Sequence, residues 1–509
     1  MNSQARFVTV LVIGLLFLPP VFAQDETGTF SWPVSTPEAE NVDPQMISTL
    51  VQSIQDGTYG QQKSLMILRH GKLIHEQYFN GNNKDTLMAM YSATKSWGSA
   101  LMGVAIRTGA IENSEVPVSQ ILTNYPAPFQ TDPQKQNITL HDLLAMRHGL
   151  AWDEWSTFFT NPINPVNQML NTGDWWKFVL ERPMTAAPDT TFRYSTGISN
   201  LMGAMIYDLT GQRAIDYSNE HLFGPMDITD YYFEIDIMGG PRGSGFTDFQ
   251  TGLTPTGHGM WLKTADMAKI GQLYLDRGTW QSKRLLSSDW ISKSWLPYSD
   301  SQTDPEVFGE GVSYGYQWWN LDYPTANGTV PVHMAWGWAD QFIFVIPSMD
   351  MVIVTTADNG AWQGPTMRAA IRDIVLDGVN EDFDPISDGG MTGSWFSTEM
   401  DSQGFMLEVV PSTGQVIIYW MAYDPETGSQ QWLFAVGQLH GRRAVLEFFK
   451  PEGGSFAGDT TAELRNWGDV ELVFQNCTKA RLNFFSEIAG VEGIINLVRA
   501  TPVTTCVDQ

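Results

Sequence analysis

SATKSWGSALMGVAIRTGA, residues 92–110, sets a serine and a lysine three positions apart where a polar loop gives way to an apolar helical pattern from Ser96 to Ala110. Positions i and i+3 share one face of a helix, with Cβ atoms roughly 5–6 Å apart. A hydroxyl is a poor nucleophile at neutral pH. An amine one turn away can take its proton, provided burial lowers the lysine enough for it to be neutral. The competing reading of Ser92 and Lys95 is an ordinary helix start, with the serine as a cap and the lysine in solvent.

The surrounding chain narrows the choice. Met1 to Ala23 reads as a secretory signal, with Arg6, an apolar run from Phe7 to Leu18, the Pro19-Pro20 break and a small residue at Ala23. The apolar run is short for a membrane span, so a soluble periplasmic or extracellular protein is expected, with an uncleaved anchor as the alternative. The only cysteines, Cys477 and Cys506, are expected to pair as a disulfide in such a compartment. No Cys/His cluster or His-Glu-x-x-His helix is present in the sequence, so neither a metal nor another cofactor is expected. The net charge of −27 would repel nucleic acid and anionic membrane surfaces.

The 509 residues change character twice. From Leu65 to Phe79 the sequence alternates around His70-Gly71, as in a hairpin. Helical patterns follow at Ser96–Ala110, Thr139–Met146, Asp174–Leu180, Asn200–Leu209 and Thr264–Asp276. Strand signals return at Val332–Met334 and in FIFVIPSMDMVIVTT, residues 342–356, before a helix over Pro365–Leu376. Strands at both ends of a helical middle imply one sheet completed by distant segments, an α/β (α+β) fold with a helical insertion. After Asp384-Pro385-Ile386 and Gly389-Gly390, short alternating segments imply an all-β domain at 390–509, a small sandwich or barrel. Its aromatic residues Trp395, Tyr419, Trp420 and Trp432 are read as core, with a ligand face as the alternative.

Two further segments suit a hydrolase. Tyr194-Ser195-Thr196 stands at a loop-helix junction, where a phenol can serve as acid or base, or can simply anchor the loop. Ala335-Trp336-Gly337-Trp338 precedes a buried strand, and a glycine at such an edge lets backbone N–H groups approach a substrate carbonyl.

In this order, Ser92-x-x-Lys95, Tyr194-x-Thr196 and Ala335-x-Gly337 resemble the class C β-lactamase-like serine hydrolases of the penicillin-recognising fold. Segments 138–154, 257–280 and 313–319 extend the resemblance over about residues 45–380. It implies a β-lactamase-like domain over 24–386, with Ser92 acylated, Lys95 accepting its proton and Tyr194 serving as acid and base that also activates the deacylating water. It also implies an oxyanion hole from the backbone N–H groups of Ser92 and Trp338, and substrate contacts from Thr196, Ala335, Trp336 and Gly337. Where β-lactamases and D,D-peptidases carry lysine, this sequence has Ala335. Loss of a cation from a carboxylate site costs on the order of 2–5 kcal/mol. The resemblance is therefore nearest the EstB-type esterase and 6-aminohexanoate-dimer hydrolase branch. A small-molecule ester or linear amide is the expected substrate, with D-amino-acid peptidase, D,D-carboxypeptidase or β-lactamase activity as runners-up and a non-catalytic binding protein as the alternative of another class. Arg147, His148 and Arg193 are possible substitute cations, and Trp152, Trp155, Trp175, Trp176, Trp318 and Trp319 are divided between cleft and core. The sequence leaves the oligomeric state open.

Overall fold

The computed structural model describes residues 30–501 except 235–253, 282, 301–310, 326–327, 361–363, 377–378, 380–390, 401, 441–442, 454–461, 476 and 487. The signal-like segment, the expected domain boundary and Cys506 lie outside the described residues.

An eight-stranded antiparallel sheet organises the first part of the chain. Its order is Lys72–Tyr78, Gln62–Arg69, Met351–Ala357, Gln341–Ile346, Gly328–Gly337, Trp319–Thr325, Val312–Tyr314, Ser299–Asp300. The N-terminal hairpin turns through His70 and Gly71, both at positive φ (51° and 71°), as a two-residue hairpin loop requires. It then pairs with Met351–Ala357, nearly three hundred residues later in the chain, Ile67 opposite Ile353. Both faces of the sheet are covered. Met66, Leu68, Ile343 and Val354 face the helical insertion, while Leu65, Ile67, Phe344 and Ile353 face a second cluster with Ile47 and Leu50 of helix Pro44–Gln55. Two-sided burial explains the unbroken apolar run at 342–356.

The helical insertion contains Thr94–Arg107, Leu140–Leu144, Trp175–Leu180 and Thr196–Thr210, and Thr264–Leu275 packs on the central strands. The first begins at Thr94, two residues before the apolar pattern, because Tyr91–Ala93 leads into it as a 3₁₀ turn. The expected helix over Pro365–Leu376 is two short pieces, Met367–Ala370 and a π-type turn at Ile371–Val375. Among the described residues, no helix is long and apolar enough to cross a membrane.

Residues from Gly393–Phe396 to Val491–Arg499 form a closed eight-stranded barrel, which decides between the two expected all-β architectures. Trp395 and Trp420 are buried inside it, as expected, and so is Cys477. Tyr419 and Trp432 are not core. Alternation along Gln415–Tyr423 and Gln430–His440 turns them outward, where they are 39% and 53% exposed.

Arg443 and Arg481 of the barrel meet the first part of the chain. Arg443 pairs with Asp350 at 2.7 Å and with Glu471, while Arg481 reaches Asp276 at 3.0 Å. Ser288 Oγ donates to Asp469 at 2.8 Å across the same junction.

Candidate active site

Each functional side chain is delivered by an element boundary. Tyr91, at φ 46°, turns the chain so that Ser92 enters the 3₁₀ turn and Lys95 falls in the first turn of helix Thr94–Arg107. Ser195 caps helix Thr196–Thr210 by accepting from Ile198 N at 3.1 Å. That cap places Tyr194 before the helix and Thr196 at its first position. Gly337 closes the site from the sheet, since a Cβ there would stand 2.1 Å from the carbonyl oxygen of Met90. Only glycine allows the strand end to lie this close to the serine loop.

Lys95 is 1% exposed, so the solvated-lysine reading does not hold. Its Nζ donates to Ser92 Oγ at 3.0 Å, to Thr196 Oγ1 at 3.0 Å and to the carbonyl oxygen of Gly257 at 2.8 Å. It also lies 4.9 Å from the centre of the Tyr194 ring. Burial lowers the amine from its ordinary value to about 8, against the opposing pull of the Glu154 carboxylate. The Tyr194 ring is buried, wedged between Trp155 (5.0 Å) and Trp319 (5.7 Å), and its phenol shares the cavity lining with Ser92. Burial, followed by the charge of Glu154, pushes its acidity far up, so it stays protonated at neutral pH. The arrangement can therefore accept a proton on Lys95 and donate one from Tyr194.

A cavity of about 380 Å³ opens over Ser92. Tyr194, Thr196, Trp336, Gly337 and Trp338 line it, as the sequence anticipates. Ala335 does not. Two positions back from Gly337, it is already beneath the serine helix, fully buried in the cluster that holds Met90 and Ala93. Trp155 and Trp319 belong to the wall, whereas Trp152, Trp175, Trp176 and Trp318 are core.

None of the three suggested cations lines the cavity. Arg147 is engaged with Asp189 at 2.8 Å, Arg193 Nη1 donates to the Trp152 carbonyl at 3.0 Å, and His148 is lowered to about 4 by burial. Two carboxylates do line it, Glu234 and Asp340, along with the buried Glu154.

No motif marks Glu154, although it closes segment 138–154, which extends the family resemblance. Its Oε2 accepts from Trp152 Nε1 (2.6 Å) and Thr196 N (2.8 Å), and its Oε1 accepts from Thr196 Oγ1 (2.9 Å). No spacing from Ser92 marks it, because the connection runs through Thr196. One group among the described residues has metal-ligand proximity, His141, Asp142 and Asp189. Each is committed elsewhere: His141 to Tyr316, Asp142 to the Thr139 cap and Asp189 to Arg147.

The beta-lactamase family model matches residues 54–376, the whole of the sheet-and-helix region that builds this site. The chain belongs to the beta-lactamase family. That makes it a hydrolase, with the barrel following the family's region. A 6-aminohexanoate-dimer hydrolase of Paenarthrobacter ureafaciens is 22% identical over 320 residues, 60% of this chain and 74% of the relative. Among solved structures, a Bacillus anthracis protein provisionally described as a 6-aminohexanoate-dimer hydrolase superposes with a TM-score of 0.54 at 18% identity, covering 70% of this chain and 89% of that one. EstCE1, a hydrolase with promiscuous acyltransferase activity, gives 0.51 at 16% identity, covering 67% and 99%. These structural likenesses establish the beta-lactamase-like fold.

Proposed function

We propose that the protein hydrolyses an ester or linear amide bond of a small molecule through an acyl-enzyme on Ser92. The observation that carries this reading is the buried Lys95 amine 3.0 Å from Ser92 Oγ, lowered to about 8 by its burial. Ser92 gives its proton to neutral Lys95 as Oγ bonds the acyl carbon. The backbone N–H groups of Ser92 and Trp338 hold the developing oxyanion. Collapse breaks the bond to the alcohol or amine, which leaves with a proton from Tyr194. The Lys95 ammonium then reprotonates the Tyr194 phenolate, which restores the neutral amine and the phenol. Water, deprotonated by the same pair, then attacks the ester carbonyl and releases the acid and free Ser92.

The cavity supports substrates without a carboxylate near the scissile bond. Its lining combines Trp155, Trp261, Trp319, Trp336 and Trp338 with Glu234 and Asp340, and among the described residues it contains no arginine or lysine. Arg368 rests its guanidinium 5.0 Å from the Trp336 ring centre and is absent from the lining. The name of the 6-aminohexanoate-dimer hydrolase relative supports a linear amide over a β-lactam. The signal-like Met1–Ala23 supports action outside the cytoplasm.

Side-by-side turnover of p-nitrophenyl butyrate, 6-aminohexanoate dimer, a D-amino-acid amide and nitrocefin tests the substrate class. Ester or linear-amide turnover with negligible nitrocefin cleavage is expected. Nitrocefin as the best substrate would overturn the argument from Ala335 and the acidic lining.

A further inference from the structure

Three polar partners surround the Lys95 amine, and their hydrogen-bonding capacities are unequal. The carbonyl oxygen of Gly257 only accepts. Thr196 Oγ1 carries one hydrogen, and it donates that hydrogen to Glu154 Oε1, leaving its lone pairs toward Lys95. Of the three partners, only Ser92 Oγ, 3.0 Å away and an acceptor while Lys95 is an ammonium, carries a hydrogen it can offer once the amine is neutral. A neutral amine has two hydrogens and one lone pair. A lone pair aimed at Gly257 O or Thr196 Oγ1 would meet another lone pair, so the two hydrogens go to those acceptors. The lone pair is left facing the Ser92 hydroxyl.

Glu154 sets this direction. Its carboxylate is 2% exposed and held at both oxygens, so the Thr196 hydroxyl has one acceptor and one orientation. We propose that Glu154 is a positioning residue that acts through Thr196 to aim the lone pair of Lys95 at Ser92. The inference rests on the reading of Ser92 as nucleophile. The Coulombic effect of Glu154 alone would work the other way. Its negative charge favours the ammonium form and keeps Lys95 above the value burial would otherwise impose. Tyr194 and, against it, Tyr314 are held protonated by burial, His258 next to Gly257 lines the same cavity, and Glu154 is itself raised by burial against the pull of Lys95 and of its three hydrogen bonds.

Glu154→Gln separates the two effects. Because two N–H donors converge on the Oε2 position, the amide oxygen must sit there and the amide nitrogen must face Thr196 Oγ1. The hydroxyl then reverses, points its hydrogen at Lys95 and draws the lone pair away from Ser92. Expected in E154Q is an acidic limb of kcat/KM for p-nitrophenyl butyrate displaced to lower pH, with a plateau at least about tenfold lower. A plateau at the wild-type level, with or without the displacement, overturns the proposal.

Thr196→Asn and Thr196→Val give a test that does not depend on E154Q folding. An asparagine can accept from Lys95 through its oxygen and donate to Glu154 through its nitrogen, preserving the direction, while valine can do neither. Whatever either substitution costs relative to wild type, T196N is expected to exceed T196V in kcat/KM by at least about tenfold. T196V equal to or above T196N overturns the proposal. Fluorophosphonate labelling of Ser92→Ala runs beside these assays: persistent labelling there defeats the nucleophile assignment itself, whereas its loss with an unchanged E154Q plateau defeats only the role of Glu154.

Discussion

In the proposed mechanism Lys95 is the group on which the chemistry turns, since its protonation state decides whether Ser92 has a base. Burial lowers it to about 8, so the neutral, competent fraction grows as pH rises through that value. The kcat/KM of a neutral ester should therefore climb with an inflection near 8, about tenfold per pH unit below it, in a rate profile taken from about pH 5 to 10. A profile flat across that interval would mean that Lys95 is not the base. Ser92, Lys95, Tyr194 and Thr196 were legible in the sequence because local rules fix each of them, a helical spacing for the first pair and a loop-helix junction for the second. Glu154 was not legible. Its tie to Lys95 is made by two hydrogen bonds through a third side chain, and no periodicity encodes that. Ala335 was misread as a contact residue because a strand carries two positions apart to quite different depths, one at the cleft and one beneath the serine helix.

Among elements, the strand Gly328–Gly337 does most to define the cleft, since its end abuts the loop before Ser92. Gly337→Ala would drive a methyl into the Met90 carbonyl, and backbone cannot step aside as a flexible side chain would. A stability loss of about 1–3 kcal/mol is expected by denaturant unfolding. The serine loop should also shift enough to lower kcat/KM by about tenfold, ~1.4 kcal/mol of transition-state stabilisation. Wild-type activity in this variant would show that the close approach is not needed to shape the site. The hairpin and the buried strands were readable from alternation and apolar runs, as was the helix carrying Lys95. In the barrel, the strands were readable but the facing of Tyr419 and Trp432 was not. Composition favours burial for aromatic residues, whereas the pleat assigns neighbouring positions such as Tyr419 and Trp420 to opposite sides.

At the scale of the molecule, the sheet is completed by strands from both ends of the family's region, so the two helices that begin with Lys95 and Thr196 in their first turns, and the segments carrying Ser92 and Tyr194 that lead into them, are held against a scaffold that neither end could form alone. The barrel is joined to that scaffold through buried charges. Arg443 compensates Asp350 and Glu471, and Arg481 compensates Asp276, an arrangement costly to break from either side. Asp350 immediately precedes strand Met351–Ala357, which pairs with Gln341–Ile346 in the same sheet as the cleft wall. These long-range closures follow from the strand order at the two ends, whereas the charge pairs across the junction involve residues that no local pattern brings together. In the proposed mechanism one serine, open to the cavity beside a buried lysine, carries the acyl group. Treatment of the full-length protein with a fluorophosphonate, followed by mass analysis of its peptides, tests it most directly. A single phosphonyl adduct on Ser92, absent from Ser92→Ala, is predicted. An unmodified wild-type protein, or an adduct that persists in Ser92→Ala, would contradict it.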